Sequence, residues 1–270
     1  MNPVIALLTD FGTRDPFVGV MKGVILSRCP AAAVVDLTHE IPPQRIEEAA
    51  FWLERCFRGF PEETVFVAVV DPGVGSSRAA LVARAHGKWF VGPDNGVLAG
   101  VLELDGARQV RRIDPARLGL PMPSRTFHGR DVFSPVAAEL ASGRLTLHAF
   151  DARDVSDATS VPFVALPKRV PVVQVDRIEG TVVTVDRFGN LITNVAAGLL
   201  ERLAGAVVEV GGARAPLRET YSDVESGALV ALVNAFDVLE VAERDGDAAK
   251  TLGVGREATV LVRARPREGA

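Results

Sequence analysis

Charged and amide side chains fall in three short clusters that also carry glycines, in a chain that is otherwise rich in aliphatic residues. The clusters read DPGVGSSR over 71–78, TFHGRD over 126–131 and DRFGNLITN over 186–194. Glycine lets the backbone bend tightly and approach a ligand closely, and ionisable groups beside it can orient a substrate or move a proton. The clusters therefore predict an enzyme that acts on a small molecule.

The first cluster begins where the apolar run 64–70 ends, and such a run is typical of a buried strand. Polar loops at strand ends are where open α/β sheets bind small molecules. Arg78 lies seven residues after Asp71, so a tight loop can fold it back toward that carboxylate. A structural ion pair and a catalytic pair are both compatible with this spacing.

His128 is the histidine with the densest polar neighbourhood, whereas His39, His86 and His148 lack such a setting. Spacing alone leaves a catalytic role and a plain surface position equally open for His128. The adjacent Arg130-Asp131 is interpreted as a structural pair, with Asp131 also placed to cap the following helix.

Asp10 and Asp15 flank a single glycine after the first predicted strand and before a helix. A mononucleotide-binding turn occupies this position in other proteins, but the GxGxxG pattern is absent, so a pyrophosphate cradle is not expected. Two carboxylates suit a ligand with ribose hydroxyls and a positive charge. For Asp15, which precedes Pro16, capping of the next helix is the alternative.

Asp186 and Asn190 occur at a turn between predicted strands, where such residues are frequent for purely local reasons. With Asn194 nearby, two amides also offer paired donors and acceptors for a hydroxyl- or amine-bearing ligand. A plain turn and a binding loop both remain open here.

The composition is that of an ordinary globular chain, with 48% hydrophobic residues, enough for a sizeable core. The net charge of −4 and the pI near 5.7 give no basic surface for nucleic acid and argue against a general attraction to anionic membranes. No apolar run approaches the ~20 residues that cross a bilayer, and the N-terminus reads as a strand rather than a signal peptide. We expect a cytoplasmic protein.

Cys29 and Cys56 fall in predicted helices and are interpreted as buried thiols in a reducing compartment. No group of side chains has the spacing of a metal site, so no metal is expected.

Strand-like runs alternate with helical patterns in the first half of the chain, which predicts an α/β N-terminal domain over 1–155 with a mainly parallel sheet. A Pro-containing segment over 156–171 is interpreted as a linker. Short β-type runs separated by glycine-bearing turns then predict a smaller all-β, barrel-like or sandwich domain over 172–266. The predicted strands of the first domain are 4–9, 33–37, 64–70, 79–85 and 88–91, and its helices are 17–29, 47–57 and 131–142, with 97–104 a short helix or strand.

Six motifs in order carry a resemblance to a known family: LTDFGTRD, DLTHEIPP, VVDPGVGSSR, VGPDNG, TFHGRD and VDRFGNLITN. The chain resembles the S-adenosylmethionine (SAM) hydroxide adenosyltransferases, which are related to the fluorinase and chlorinase. The resemblance implies hydrolysis of SAM to adenosine and methionine without a cofactor. It also implies an α/β domain followed by a β-barrel, and homotrimers that bind substrate between neighbouring subunits.

The resemblance assigns roles to individual positions. It implies that Asp71, Arg78 and His128 are the catalytic set. The implied substrate-binding residues are Asp10 for ribose, Asp15 and Asp186 for the methionine moiety, Asn190 and Tyr221 for adenine, and also Gly129 and Asn234. The sequence departs from the family pattern at Ala235, where serine is expected, and at Asp247, where asparagine is expected.

Two other functions remain as alternatives. A SAM-dependent halogenase would use the same substrate, but Asp71 would repel a halide, and the connection between Arg78 and Val91 is short where the fluorinase branch carries an insertion. A non-catalytic binder of adenosyl compounds would bind without forming product. A dehydrogenase and a serine hydrolase are disfavoured because the GxGxxG and GxSxG motifs are absent.

Overall fold

The computed structural model describes residues 2–104, 106, 108–150, 161–167, 169–201, 203 and 205–264. The chain divides into two compact units, Met1–Leu166 and Pro167–Ala270. The predicted linker over 156–171 falls partly outside the described residues, so its bounds and those of the two predicted domains stay predictions.

The first unit is built on a six-stranded sheet with the order β2-β1-β3-β5-β4-β6. Its strands are β1 (Val4–Thr9), β2 (Ala33–Thr38), β3 (Val65–Val69), β4 (Ala80–Ala85), β5 (Lys88–Pro93) and β6 (Arg108–Arg112). Its helices are α1 (Phe17–Arg28), α2 (Ile46–Cys56), α3 (Ala99–Leu102) and α4 (Ser134–Ala141). The pairs β1–β2, β1–β3 and β3–β5 are parallel, and β4 pairs antiparallel with β5 and β6.

Strand β3 shows why this sheet is covered on both faces. All five of its residues are buried, and they alternate between two separate cores. Val67 packs in the core that contains Met21 of α1 and Val136 of α4, whereas Phe66 packs in the core that contains Leu53 of α2. A continuous apolar run is what a strand between two helical layers requires, so the α/β prediction is confirmed.

The first unit contains one strand that the sequence did not predict, and two local predictions are wrong. Strand β6 was not predicted because its sequence, RQVRR, is charged at an exposed edge of the sheet and only Val110 and Arg111 are buried. Cys29 follows α1 as its C-cap instead of lying within the helix. Asp131 does not cap α4, because Gly129–Phe133 form a π-helical turn and the cap position is Phe133, without a side-chain hydrogen bond.

The second unit is an antiparallel sheet with the order β11-β10-β14-β8-β9-β13-β12, with β7 paired to β8. The strands are β7 (Val172–Val173), β8 (Arg177–Val185), β9 (Leu191–Ala196), β10 (Val207–Val210), β11 (Ala213–Pro216), β12 (Leu229–Val233), β13 (Val238–Glu243) and β14 (Thr259–Arg263). Two short helices, α5 (Ala197–Leu200) and α6 (Ala248–Leu252), and a 3₁₀ turn, Tyr221–Asp223, complete it.

The two ends of this sheet approach each other. Leu217, just after β11, bridges to Ala231 of β12, and the Arg218 amide donates to the Ala231 carbonyl at 2.8 Å. Alternate residues of β8, including Ile178 and Val182, point into the enclosed core. The barrel-like prediction is therefore confirmed. In the described part of both units, no helix has the length and hydropathy needed to cross a membrane.

Candidate active site

Two of the polar loops leave the first sheet side by side. Strands β1 and β3 are parallel neighbours, with Thr9 opposite Val69. The Asp10–Asp15 loop follows β1 directly, and Asp71 follows buried Val70, one residue beyond the end of β3. Since the carboxyl ends of parallel strands share one edge of the sheet, both loops face the same space, where α/β proteins bind ligands.

Asp71 and Arg78 form a closed ion pair across their loop. Arg78 Nε donates to Asp71 Oδ1 at 3.0 Å, and Arg78 Nη2 donates to Asp71 Oδ2. The Arg78 side chain is 10% exposed and that of Asp71 is 5% exposed. A buried, bidentate guanidinium–carboxylate ion pair fixes the orientation of both side chains.

The same guanidinium reaches His128. Arg78 Nη2 lies 2.7 Å from His128 Nδ1, and a guanidinium can only donate, so Nδ1 accepts. The neutral ring therefore carries its hydrogen on Nε2. Burial lowers the pKa of the His128 imidazole, and the Arg78 charge lowers it further, against opposing effects of Asp71 and Asp131. The structure thus joins all three predicted catalytic residues, with Arg78 in the middle.

Backbone packing holds the Asp71 loop in place. Gly75 has φ +79°, and a Cβ added there would lie 2.4 Å from the carbonyl oxygen of Arg125. Only glycine permits both this conformation and this contact. The loop that carries Arg78 therefore rests against the segment that leads to His128. The guanidinium carbon of Arg78 also lies 5.5 Å from the ring centroid of buried Phe133.

Three phenylalanines connect the His128 segment to the Asp10 loop. Phe11, Phe17 and Phe127 contact one another with ring-centroid distances of 5.4 to 6.0 Å. Gly129 is buried behind them, and a Cβ there would lie 3.1 Å from Met21 Sδ. Close packing accounts for the glycine at this position, while its predicted role in substrate binding stays a prediction.

Arg130 and Asp131 form the expected structural pair. Arg130 Nε donates to Asp131 Oδ1 at 2.6 Å, and the Ser124 amide donates to Asp131 Oδ2 at 2.8 Å. The hydrogen bond from Arg130 holds the pKa of the Asp131 carboxyl below its usual value. The pair anchors the loop that precedes His128.

Asp10 and Asp15 have different surroundings. Asp10 Oδ2 accepts a hydrogen bond from the Gln44 amide at 2.9 Å, while Asp15 is exposed. The alternative in which Asp15 caps α1 is wrong, because the cap position is Pro16 and it has no side-chain hydrogen bond.

His39 was not predicted as a site residue, but it has a dense polar setting. This buried side chain lies between Thr9 Oγ1, 2.8 Å from Nδ1, and Asp36 Oδ1, 2.9 Å from Nε2. Its carbonyl accepts from the Gly12 amide at 2.8 Å. His39 thus ties the start of the Asp10 loop to β2. Asp36 lies three residues before His39, but Thr9 comes from a different strand, and nothing in the local sequence signals that second contact.

Asn95 was also missed as an individual residue, although its motif VGPDNG contributed to the resemblance. Its side-chain amide donates to the Val70 carbonyl at 2.8 Å, and its oxygen accepts from the Val97 amide at 3.1 Å. Asn95 therefore fixes the backbone immediately before Asp71.

In the second unit, Asp186 and Asn190 form one tight turn. Asp186 Oδ1 accepts from the Asn190 amide at 2.9 Å, and Oδ2 accepts from Asn190 Nδ2 at the same distance. Gly189, at φ +87°, abuts Asp247, whose carboxylate caps α6 through the Lys250 amide. The local turn interpretation therefore describes how Asp186 and Asn190 are held, and their predicted substrate contacts stay predictions.

Tyr221 and Asn234 both donate hydrogen bonds to Glu240, a residue that was not predicted from the sequence. The Tyr221 hydroxyl donates to Glu240 Oε1 at 2.6 Å, and Asn234 Nδ2 donates to Glu240 Oε2 at 3.2 Å. An open cleft of about 660 Å³ runs beside this turn, lined by Leu217, Arg218, Glu219, Asp223 and Val233.

Within the described ranges, no group of three or more His, Cys, Asp or Glu side chains could hold a metal ion. The chemistry that the observed groups offer is hydrogen bonding and charge stabilisation. In the first unit these groups are a carboxylate, a guanidinium and an imidazole that act as one hydrogen-bonded set.

Comparison with known proteins identifies the family of the chain. The model of the SAM hydroxide adenosyltransferase N-terminal domain matches residues 5–151, and that of the C-terminal domain matches residues 180–261. An (R)-S-adenosyl-L-methionine hydrolase of Thermus thermophilus is 42% identical over 94% of this chain and 96% of its own length. A fluorinase of Actinoplanes sp. is 31% identical over 74% of each chain.

Solved structures share the fold. The crystal structure of an uncharacterized conserved protein from Thermotoga maritima superposes with a TM-score of 0.87, is 38% identical and covers 97% of this chain and 100% of its own. The two family models together match most of the chain, and the relative from Thermus thermophilus is similar over nearly its whole length. The chain therefore belongs to the SAM hydroxide adenosyltransferase family.

Proposed function

We propose that this enzyme hydrolyses SAM to adenosine and L-methionine, with water attacking C5′ opposite the departing sulfur. Membership of the family and the 42% identity to a protein named (R)-S-adenosyl-L-methionine hydrolase support the reaction. The observation that carries the proposal is the contact of one guanidinium, Arg78, with both Asp71 and His128.

The substrate itself supplies the leaving group. A sulfonium departs as a neutral thioether and takes the C5′–S electron pair with it, so no acid is needed at that end. The C5′–O bond forms from an oxygen that gains hydroxide character as it attacks a cation. Coulomb attraction favours this union in a site of low dielectric constant.

We assign the activation of water to the three residues together. His128 offers its Nε2 hydrogen to the water oxygen, and Arg78, locked on both partners, stabilises the hydroxide character that develops. The Asp71 carboxylate has lone pairs beyond the two that Arg78 occupies, and it takes the proton that water loses. In this scheme His128 is a hydrogen-bond donor, not a base, because Nδ1 is already an acceptor for Arg78.

The remaining residues hold the substrate. We assign the ribose hydroxyls to Asp10, the methionine moiety to Asp15 and Asp186, and adenine to Asn190 and Tyr221, as the family resemblance implies. Asn234 and Gly129 complete the proposed set. No cofactor takes part, because activated water and the sulfonium supply the whole reaction.

The sulfonium centre of the substrate can have two configurations. The relative with 42% identity is named for the (R) epimer, and we extend that preference to this chain. Incubation with a mixture of the two epimers tests it: the (R) epimer is expected to disappear first, and loss of the (S) epimer alone would contradict it.

We further propose a homotrimer with sites at the subunit interfaces, located in the cytoplasm. Helix α1 supports association between copies, since its exposed residues include Phe17, Val20 and Leu26. Apolar residues exposed around a surface helix, beyond those that face the core, are often covered by a partner. Light scattering of the purified protein should give three times the chain mass of 28.7 kDa.

Incubation of the purified protein with SAM and chloride, followed by chromatography of the products, tests the reaction. Adenosine and methionine in equal amounts are the expected result. A chlorinated nucleoside would instead indicate a halogenase, in line with the more distant fluorinase relative. Calorimetric binding of SAM without any product would indicate a binding protein.

A further inference from the structure

Glu240 lies at the centre of the second-unit residues assigned to the substrate. It belongs to β13 and is 3% exposed. Its two carboxylate oxygens take different partners: the hydroxyl of Tyr221 on Oε1 and the amide of Asn234 on Oε2. Each of these partners has a substrate-binding role in the proposed function, whereas Glu240 has none.

A carboxylate in this position is costly for the fold. Its cross-strand partners on the same face, Leu232 of β12 and Ile192 of β9, are both buried and apolar, and in the described part of the chain Glu240 has no ion pair with a basic side chain. Burial raises the pKa of the Glu240 carboxyl, and the charge of Asp186 raises it further, against the hydrogen bonds of Tyr221 and Asn234. An apolar residue here would remove the desolvation cost. Stability of the barrel therefore does not explain the glutamate.

The hydroxyl of Tyr221 is fixed by a hydrogen bond, while its side chain is partly exposed to solvent. Its hydroxyl is tied to Glu240 while the residue is 43% exposed. The backbone of its 3₁₀ turn is braced by a capping box between Thr220 and Asp223. Burial, followed by the bond to Glu240, raises the pKa of the Tyr221 phenol, so the hydroxyl remains a donor. An exposed aromatic ring with a fixed direction is suited to stacking on a planar ligand at little cost in entropy.

Asn234 is oriented from both sides of its amide. Its oxygen accepts from the Phe236 amide at 2.9 Å, which leaves Nδ2 to face Glu240. Glu240 thus fixes the positions of two side chains that come from different parts of the barrel, the Tyr221 turn and the end of β12.

We infer that Glu240 is a positioning residue for the adenosyl group: it fixes the Tyr221 ring, and with it the Asn234 amide, in the orientation that binds the nucleoside. This inference rests on the proposed substrate. It assigns Glu240 to binding through Tyr221, and the reacting groups stay in the first unit.

Binding of adenosine, measured by calorimetry on the full-length protein, tests this role without requiring turnover. Glu240→Leu removes both hydrogen bonds and should weaken adenosine binding about tenfold, the effect of losing one or two such bonds. The KM for SAM should rise by a similar factor with little change in kcat. Glu240→Gln, whose carbonyl can still accept from Tyr221, should restore most of the affinity.

A matched control and a double variant separate positioning from general damage. Glu209→Gln changes a half-buried glutamate of β10 that pairs with Arg214 and Arg263, and it should leave adenosine affinity unchanged. In a Tyr221→Ala background, Glu240→Leu should cost much less than in the wild type, because the ring that it positions is gone. If Glu240→Leu does not fold, adenosine affinity is measured in two other variants. A small loss of affinity is expected in Glu240→Gln, and a larger loss in Tyr221→Phe, which lacks the hydroxyl that binds Glu240.

Unchanged adenosine affinity in folded Glu240→Leu would overturn the inference. The same holds if the losses in binding free energy of Tyr221→Ala and Glu240→Leu add fully in the double variant. Either result would leave the proposed hydrolysis intact. Wild-type protein that binds adenosine but does not hydrolyse SAM would overturn the proposed function and leave the role of Glu240 standing. Wild-type protein that binds neither molecule would overturn both.

Discussion

Arg78 Nη2 and His128 Nδ1 lie 2.7 Å apart, and the direction of this hydrogen bond determines the chemistry available to the imidazole. Because the guanidinium donates, the free hydrogen of the neutral ring points away from Arg78 on Nε2. The histidine therefore presents a donor to whatever occupies the site, while the Asp71 carboxylate provides the acceptor.

The donor role of His128 can be tested with two amides of different length. The glutamine amide reaches the region of Nε2 and can donate there, whereas the asparagine oxygen reaches the region of Nδ1 and restores only the contact with Arg78. We expect His128→Ala to lower kcat by about 10²-fold or more with a small change in KM. Steady-state assays should place His128→Gln well above His128→Asn, and the reverse order would contradict the donor role.

The pH dependence of turnover follows from the lowered pKa of His128. The neutral ring accepts from Arg78, and protonation of Nδ1 abolishes that bond. Activity should therefore be complete above the ordinary histidine pKa of about 6.5 and fall only as the pH drops through a lower value. The stability that the neutral ring contributes is lost in the same direction, with decreasing pH.

Removal of the Arg78 charge tests whether Arg78 contributes to the lowered pKa of His128. In Arg78→Met, Asp71 and Asp131 remain to raise the His128 pKa, so the imidazole should titrate at higher pH than in the wild type. NMR titration of the ring measures this directly, even in an inactive variant. A midpoint that stays in place would show that Arg78 does not influence the ring.

The buried Asp71–Arg78 pair should affect stability and activity separately. Loss of one partner leaves a buried charge uncompensated, so Arg78→Met is expected to cost about 3–5 kcal/mol in the free energy of unfolding. The double variant Asp71→Leu with Arg78→Met should recover much of that stability and none of the activity. Recovery of turnover in the double variant would exclude the pair from the reaction.

Gly75 provides a test of loop position that leaves every polar group in place. A methyl group there would meet the Arg125 carbonyl, in a backbone conformation that alanine tolerates poorly. Gly75→Ala should therefore displace Arg78 and reduce kcat at least about tenfold. Gly59→Ala, just after α2 with open space around its Cα, is the matched control and should leave kcat and the melting temperature close to wild type. Equal activity in both variants would refute the positioning role of the loop.

The sequence predicts the parts of this protein that depend on local pattern. The uniform apolar run of β3 identifies a strand between two layers, and the polar residues directly after it identify the loop of Asp71. Strand β6 escapes prediction because pairing with β4 at the sheet edge, and not its own charged composition, makes it a strand.

The same distinction applies to the candidate site. The spacing of Asp71 and Arg78 allows an ion pair, but the position of His128 beside them depends on Gly75 packing against a segment fifty residues away. His39 and Glu240 escape prediction because each depends on a partner far away in the sequence: Thr9 lies 30 residues before His39, and Tyr221 lies 19 residues before Glu240. Long-range contacts of this kind leave no mark in the local sequence.

Hydrolysis of SAM in heavy-oxygen water is the decisive experiment for the proposed mechanism. If the Asp71–Arg78–His128 set directs water at C5′, one heavy oxygen enters the 5′-hydroxyl of adenosine and none enters methionine, as mass spectrometry of both products will show. The rate of labelling should fall with kcat in His128→Asn. Adenosine without label, or label at an unchanged rate in that variant, would contradict the mechanism.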